Sequence, residues 1–369
     1  MNNKQVIIYN LLNMAGWHTK RHILVIESDD WGSIRMPSLL KYNELVDNGI
    51  KFGKYGYEKV DTIASPEDLE LLFEICDSFR DINGKPLVIT ANVLVANPDF
   101  DKIKASNYCR YYYERITSTM DRYYPNRSPF LLWKEGMEKK VFHPQLHGRE
   151  HINVPMWLNS LQKDYFGARD CFECGVFSFL VNKTFDSRIK NTSAYDYKNS
   201  DELVFLKQSI VEADSIFYEL FGYHSLSFIA PSYTWNQQIE QSLFDIGVKY
   251  LQGMILHTEQ GKKHINYIGK RNSFGQFYLN RTASWEYSQN SDYDWTNDCL
   301  ERINIAFKWN KPATISIHRL NFVGALSVRN RDDNLKRFNF LISQIIRRWP
   351  DVEFWTSDQL GHYIERGDK

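Results

Sequence analysis

Segments typical of β-strands and of α-helices alternate along most of this 369-residue chain, and the alternation constrains the fold more than any other feature. The apolar run 22–26 predicts a buried strand, helical patterns follow at 37–49 and 65–80, and 85–95 is rich in β-forming residues. The same criteria then predict helices at 130–140, 154–163, 201–221, 237–245, 295–309 and 334–349, a last helix capped by Ser357, and strands at 225–230, 250–256, 313–317 and 352–355. Strands separated by helices of about ten or more residues indicate parallel βαβ units. We therefore expect an α/β fold, a distorted (β/α) barrel of about seven units.

Nothing in the sequence divides the chain into separate domains. It contains no internal repeat, low-complexity run or Pro/Gly-rich linker, and its 43% hydrophobic content suffices for one large core. A single domain over residues 1–369 is therefore expected. Residues 53–124 are predicted to form an insertion after the first βα unit, and the polar stretch 182–200 a second decoration.

Charge and composition narrow the classes of partner. Lys plus Arg equals Asp plus Glu at 45 each, so the chain lacks the basic excess of a nucleic-acid-binding protein. The first 20 residues lack the apolar segment of a secretory signal and no window approaches a membrane span, so a cytoplasmic protein is expected. Five cysteines suggest reduced thiols rather than a disulfide framework. The aromatic content of 15% suits sugar stacking or a homo-oligomer contact as well as a core.

Two groups of side chains could carry chemistry. Asp29 and Asp30 follow the first predicted strand, where α/β enzymes place catalytic residues, although an Asp there could also cap a helix. Three histidines, His143, His147 and His151, are each four residues apart, and Pro144 and Gly148 among them favour a loop or a loop entering a short helix. A His-x-x-x-His pair together with an Asp is typical of a catalytic divalent metal site.

These residues, together with three later motifs, resemble the ordered motif set of the NodB-type polysaccharide deacetylases, carbohydrate esterase family 4. The later motifs are Ala-Pro-Ser-Tyr ending at Tyr233, Asp-Tyr-Asp-Trp containing Asp294, and Ile-Ser-Ile-His ending at His318. The resemblance covers about residues 22–360 and implies a NodB-like barrel.

The resemblance also implies residue roles. Asp30, His147 and His151 would hold a divalent metal ion, zinc by default, with His143 as a reserve ligand because Pro144 restricts the earlier His-x-x-x-His frame. Asp29 would act as general base, His318 as general acid, and Asp294 as the carboxylate that orients His318. Tyr233 falls where a backbone N–H binds the oxyanion, and Trp31 and Arg149 are assigned to the substrate side. The family usually has an Arg where Ala230 stands, and Arg149 or Arg281 could take its place.

The sequence thus predicts a metal-dependent hydrolase that removes an acetyl group from an N- or O-acetylated sugar or polysaccharide precursor. Two alternatives stay open, since a fold does not fix a substrate. One is a metal-dependent hydrolase of a non-sugar amide, and the other is a catalytically decayed carbohydrate-binding protein on the same scaffold.

Overall fold

The computed structural model describes residues 3–52, 56–177, 192–259 and 262–367. Parallel strands covered by helices form the fold. The strands are β1 (Ile23–Trp31), β2 (Ile89–Leu94), β3 (Ala96–Pro98), β4 (Tyr113–Arg115), β5 (Phe142–Gly148), β6 (Ser227–Phe228), β7 (Tyr250–Gly253), β8 (Leu256–Glu259), β9 (Lys262–Ile265), β10 (Phe277–Asn280), β11 (Ala283–Ser284), β12 (Ala313–His318) and β13 (Glu353–Trp355). The helices are α1 (Asn3–Leu12), α2 (Leu39–Asp47), α3 (Tyr57–Val60), α4 (Pro66–Ser78), α5 (Phe100–Ala105), α6 (Ile116–Tyr123), α7 (Pro129–Glu138), α8 (Val154–Gln162), α9 (Ala168–Glu173), α10 (Ser200–Phe221), α11 (Gln237–Asp245), α12 (Trp295–Lys308), α13 (Val328–Arg348) and α14 (Ser357–Glu365).

Over the described ranges, the main sheet has nine strands in the order β10-β7-β6-β5-β2-β1-β12-β11, with β13 also paired to β1. Every pairing in it is parallel. Among the described residues no ladder joins β10 to β11, so the sheet is a curled half-barrel with two open ends. This confirms the predicted fold class.

Strand β1 is an interior strand of the sheet and pairs with three other strands. Along one edge it pairs with β12 over Leu24–Asp29, and it also pairs with β13 through its first residues and with β2 through its last ones. All nine residues of β1 are buried, including its four polar ones. A strand enclosed in this way can present carboxylates only at the mouth of the half-barrel, where the parallel strands end.

Most of the predicted helices are confirmed, because caps and apolar spacing are local signals. Helix α4 shows the cause: the Ser65 hydroxyl accepts from the Asp68 backbone N–H, the Asp68 carboxylate accepts from the Ser65 N–H, and Pro66 occupies the first turn. Helix α13 begins earlier than predicted, at Val328. The described part of the chain contains no helix both long and apolar enough to span a bilayer.

Two predictions about the chain's organisation are modified, and a third falls partly outside the described residues. The His-rich segment is not a loop or a helix up to residue 148, because Phe142–Gly148 is strand β5. The predicted insertion 53–124 contains β2, which lies between β1 and β5 in the main sheet, so that part belongs to the half-barrel itself. Of the predicted decoration 182–200, residues 182–191 lie outside the described residues. That the whole chain forms one domain stays a prediction.

Candidate active site

The polar side chains of the site meet at the carboxyl ends of neighbouring strands. Asp29 and Asp30 lie near the end of β1, His147 near the end of β5, and His318 at the end of β12. In the β1–β12 ladder Asp29 is the partner of His318, so the sheet register itself places the carboxylate beside the imidazole.

Asp30, His147 and His151 form a compact buried group with metal-ligating atoms. Their ligand atoms all lie within 4.8 Å of one another. Oδ1 of Asp30 is 3.4 Å from Nε2 of His147 and 3.2 Å from Nε2 of His151. His143 is not part of this group as far as the described residues show.

The chemistry of this group fits a divalent metal ion. Nδ1 of His147 lies 2.8 Å from the carbonyl oxygen of Ile229, which can only accept, so Nδ1 carries the proton and Nε2 keeps its lone pair for a metal. Burial, the largest influence, lowers the pKa of His151 to about 4, so this imidazole is neutral near pH 7, as a ligand must be. Two imidazoles and one carboxylate leave a coordination position open, which is the pattern of catalytic rather than structural zinc sites.

Backbone distortions bring these ligands together. Asp30 has φ +71°, and the β1–β2 register shifts between Ser28 and Trp31, so β1 bulges at the acidic pair. Gly148 has φ +131°, and a Cβ there would lie 2.7 Å from the Tyr195 hydroxyl oxygen, so only glycine fits the bend that follows His147. That bend redirects the chain and allows His151 to reach the group.

The second carboxylate oxygen of Asp30 faces a buried arginine. Nη2 of Arg35 lies 3.2 Å from Oδ2 of Asp30, and its Nε lies 3.5 Å from the buried Asp61 carboxylate. Burial opposes ionisation of Asp30, but its contacts with His151 and with the charged guanidinium of Arg35 outweigh burial and hold the pKa of Asp30 well below its usual range. Arg35 therefore occupies Oδ2 while Oδ1 faces the histidines.

Asp29 is held by a different arginine. Arg281, between β10 and β11, donates from Nη1 to Oδ2 of Asp29 at 2.6 Å and from Nη2 to Oδ1 at 2.7 Å, and its Nε donates to Glu27 at 2.6 Å. Asn92 on β2 donates to Oδ1 of Asp29 at 2.7 Å. Burial works against the charged form, but Arg281 prevails and lowers the pKa of Asp29 to about 2. Of the two arginines considered as replacements at Ala230, Arg281 is the one that contacts Asp29.

His318 faces Asp29 on one side and Glu286 on the other. Its Nε2 lies 3.9 Å from Oδ2 of Asp29, while its Nδ1 donates to Oε1 of Glu286 at 2.6 Å and its backbone N–H to the same oxygen at 3.0 Å. Asn321 donates to Oε2 of Glu286 at 2.8 Å. Although burial disfavours the imidazolium, Glu286 more than compensates and raises the pKa of His318 to about 9.

The position predicted for Asp294 is therefore occupied by Glu286. Asp294 is exposed and is the N-cap of α12, where its side chain accepts from the backbone N–H of Asn297. No contact joins Asp294 to His318 in the described structure. Glu286 follows β11, a two-residue strand that is too short to predict from sequence. The short apolar run 277–279, which lies in β10, was the available sequence signal that strands lie in this region.

Trp31 and Arg149, both assigned to the substrate side, have buried side chains that are engaged with other partners in the structure. Trp31 is 1% exposed, packs against Trp133 and Phe142, and donates from Nε1 to Ser28. Arg149 is buried and pairs with Glu150 at 2.6 Å and with Glu212.

Tyr233 and His143 have hydrogen-bond or ion-pair partners of their own in the structure. The backbone N–H of Tyr233, the predicted oxyanion donor, donates to the Ala230 carbonyl at 3.0 Å, while its hydroxyl accepts from Arg281 at 2.7 Å. Tyr233 thus joins the site through its side chain. His143, the reserve ligand, lies 3.1 Å from the Asp358 carboxylate and stacks on Tyr223.

Solved structures of similar architecture include two proteins described as polysaccharide deacetylases. The one from Mycobacterium smegmatis has a TM-score of 0.47 and 11% identity over 96% of this chain and 93% of its own. The one from Pseudomonas aeruginosa PAO1 has a TM-score of 0.47 and 12% identity over 94% of this chain and 92% of its own. PuuE allantoinase matches with a TM-score of 0.47 and 13% identity over 95% of this chain and 92% of its own.

No protein-family model and no curated protein sequence matches the chain. The identities to the solved structures are too low to transfer a substrate or a residue's role. Both have to be argued from the side chains of the site.

Proposed function

We propose that this protein is a metal-dependent hydrolase that removes an acetyl group from an N- or O-acetylated sugar, with zinc as the ion. The observation that carries the proposal is the placement of Asp29 and His318 beside the group formed by Asp30, His147 and His151. Amide or ester hydrolysis needs an activated water, stabilisation of an oxyanion and a proton for the leaving group. A divalent ion held by the three ligands would polarise the acyl carbonyl and make water more acidic.

The protein's own residues would move the protons. Asp29 is ionised near neutral pH and would accept a proton from the attacking water at a carboxylate oxygen. Arg281 keeps that carboxylate oriented through two hydrogen bonds. His318, protonated at Nε2, would donate that proton to the leaving amine or alcohol as the bond to the acyl carbon breaks. Glu286 holds the imidazole protonated and fixes its ring.

The geometry supports acyl transfer to water in general. The choice of a sugar as the substrate rests on the resemblance of the motif order to that of the NodB-type polysaccharide deacetylases. The hypothesis of a decayed scaffold had two motives, the absence of an Arg at position 230 and the aromatic content of 15%. Arg281 donates to the Asp29 carboxylate instead, which removes the first motive. The alternative of a non-sugar amide substrate is tested by including small amides among the compounds assayed for hydrolysis.

Metal content is the first test. We expect about one equivalent of zinc, measured by plasma mass spectrometry on protein purified without a His tag, and less than about 0.1 equivalent in Asp30→Ala and His147→Ala. The matched control is His143→Ala, a histidine on the same strand that should leave the metal content unchanged. Zinc-loaded protein is then assayed for acetate release from N-acetylated sugars, O-acetylated sugars and small amides. A wild type that neither contains nor takes up metal would refute the proposal.

A further inference from the structure

The outer face of helix α1 and the residues just after it expose a stripe of apolar side chains. Ile7 and Leu11 are 61% and 60% exposed, and Met14, in the turn that follows, is 52% exposed. Because residues four and seven apart share one face of a helix, these three side chains lie in one row. The opposite side of the segment, including Tyr9 and Leu12, lines a cavity of about 60 Å³ against the body of the protein. The stripe therefore points away from the body.

The chain around the β8–β9 hairpin lies directly beside this segment. Met254, which precedes β8 and is exposed, lines the same small cavity as α1. The backbone N–H of Trp17 donates to the carbonyl oxygen of Ile268 at 2.8 Å. A Cβ at Gly16 would lie 2.5 Å from that oxygen, so the two backbones touch there. The exposed apolar side chains of the two segments therefore belong to one side of the molecule.

The outward face of the hairpin is also apolar. Leu256 and Ile265 are paired across it and are 53% and 58% exposed. The next residue, His257, is buried and stacks on Trp235 with a centroid distance of 3.9 Å, so it faces the body. Because successive side chains of a strand alternate, Leu256 and its partner face away from the body. We call the exposed apolar side chains of residues 6–14 and 254–267 the docking surface.

The docking surface is the largest concentration of exposed apolar side chains on the described part of the chain. Of the 20 large apolar side chains exposed there, nine belong to these two short segments. Such a concentration marks an interaction site. Protein interfaces are rich in aromatic residues and poor in lysine. Tyr267 is the one aromatic member of the docking surface, in a chain that is 15% aromatic, so its aliphatic character favours lipid over protein.

The charges around the docking surface are mostly positive, although the net charge of the chain is zero. Segments 3–17 and 254–272 contain one acidic residue, Glu259, and five basic residues, Lys4, Lys262, Lys263, Lys270 and Arg271. Of these, Lys4, Lys263 and Arg271 are exposed. A leaflet that contains anionic lipids attracts basic residues at its surface, by about fivefold in affinity for each Lys or Arg. The sign of the charge therefore matches such a leaflet.

We propose that the docking surface binds an anionic membrane, with its aliphatic side chains inserted among the lipids and the basic residues against the headgroups. A helix that lies in the headgroup region does not need the length of one that spans the bilayer. The hairpin follows the carboxyl end of β7, at the edge of the sheet where the candidate active site lies. Binding would therefore hold the mouth of the half-barrel close to the lipid surface. This inference does not depend on the proposed hydrolysis.

The test is co-sedimentation of the full chain with vesicles of phosphatidylcholine, either alone or mixed with phosphatidylglycerol. We expect binding to the anionic vesicles to be about tenfold or more stronger than to the neutral ones. The double variant Ile7→Gln, Leu11→Gln should weaken it about tenfold or more, because two apolar side chains no longer insert while glutamine keeps the helix. The matched control is Val204→Gln, Val211→Gln, two exposed aliphatic residues of α10 whose replacement should leave binding unchanged.

A second pair of substitutions, Lys4→Gln and Lys263→Gln, tests the charges without touching an apolar contact. Together they should weaken binding to the anionic vesicles about tenfold or more and leave binding to neutral vesicles unchanged. Equal binding to both kinds of vesicle, unaffected by these substitutions, would overturn the preference for an anionic membrane.

Three other results would overturn the docking surface itself. One is a wild type that binds neither kind of vesicle. Another is an equal loss of binding in the α10 control and in Ile7→Gln, Leu11→Gln. The third is a wild type that light scattering shows to be a dimer, that binds no vesicles, and that becomes monomeric in Ile7→Gln, Leu11→Gln, because a second copy of the chain would then cover the surface. None of these measurements uses acetate release, so the proposed function stands or fails separately.

Discussion

Replacing Glu286 with glutamine tests the assignment of the general acid. Glu286 is the main cause of the high pKa of His318, about 9, and the ordinary pKa of histidine is about 6.5. Glutamine keeps the carbonyl oxygen that accepts from His318 but removes the charge, while burial continues to disfavour the imidazolium. We therefore expect the pKa of His318 in Glu286→Gln to fall to about 6.5 or lower.

The expected magnitude follows from the protonated fraction of His318. At pH 7.5 this fraction is about 97% for a pKa of 9 and about 9% for a pKa of 6.5, so kcat/KM should fall about tenfold in Glu286→Gln. The alkaline limb of the kcat/KM profile should move toward lower pH by about 2.5 units. A bound divalent ion would add its own charge, so the difference between the two profiles is the quantity to compare.

The control is Asp294→Asn, at the carboxylate that the sequence selected for this role. Asparagine is as good an N-cap as aspartate, so α12 should be preserved and the pH profile unchanged. Nitrogen-15 NMR titration of His318 measures the pKa directly. An alkaline limb that stays in place in Glu286→Gln, or that moves in Asp294→Asn, would refute our assignment of Glu286.

Three further predictions follow from the same contacts. Because His318 binds its proton more tightly in the folded state, its contribution to stability is complete below pH 6.5 and is lost as the pH rises toward 9. The free energy of unfolding of metal-free wild type, measured with urea, should therefore fall by up to about 3 kcal/mol relative to that of Glu286→Gln between these pH values. Parallel curves for the two proteins would contradict this. Arg281→Met leaves two buried carboxylates, Asp29 and Glu27, without their guanidinium and should cost about 3–5 kcal/mol in the same assay, so a loss below about 1 kcal/mol would show that the pairing is weak. Trp31→Phe removes one buried hydrogen bond and some packing, and should lower stability by about 1–2 kcal/mol while kcat/KM stays unchanged; a loss of activity at full stability would return Trp31 to the substrate side.

What the sequence could predict depended on how local the signal was. Helix α11 was predicted at its observed bounds, Gln237–Asp245, because the Asn236 cap and the apolar spacing lie within the segment itself. Glu286 and Arg281 could not be placed in this way. Strands β10 and β11 have four and two residues, and β11 joins the sheet beside β12, about 30 residues later in the chain, so only tertiary pairing identifies them.

The histidine frame shows how the type of element decides which residues meet. If the segment were a helix, residues four apart would be neighbours on one face. His143 could then pair with His147 in a ligand set as readily as His151 could. On strand β5 the four-residue step from His143 to His147 spans about 13 Å, which separates the two side chains along the sheet. His151 escapes this rule because the strand ends at Gly148 and the chain bends. The structure brings His147 and His151, the later frame, together with Asp30, for a reason that the restriction at Pro144 does not include.

The acidic pair presents the reverse case, in which the regular element would have prevented the site. Successive residues of a regular strand point to opposite faces, so Asp29 and Asp30 on an ideal β1 could not share one pocket. The positive φ of Asp30 and the register shift beside it interrupt this alternation, at a cost of about 1–2 kcal/mol for a residue with a Cβ. Arg35 and Arg281 hold the two carboxylates in the resulting arrangement. Strain of this kind has no local sequence pattern, because the surrounding contacts impose it.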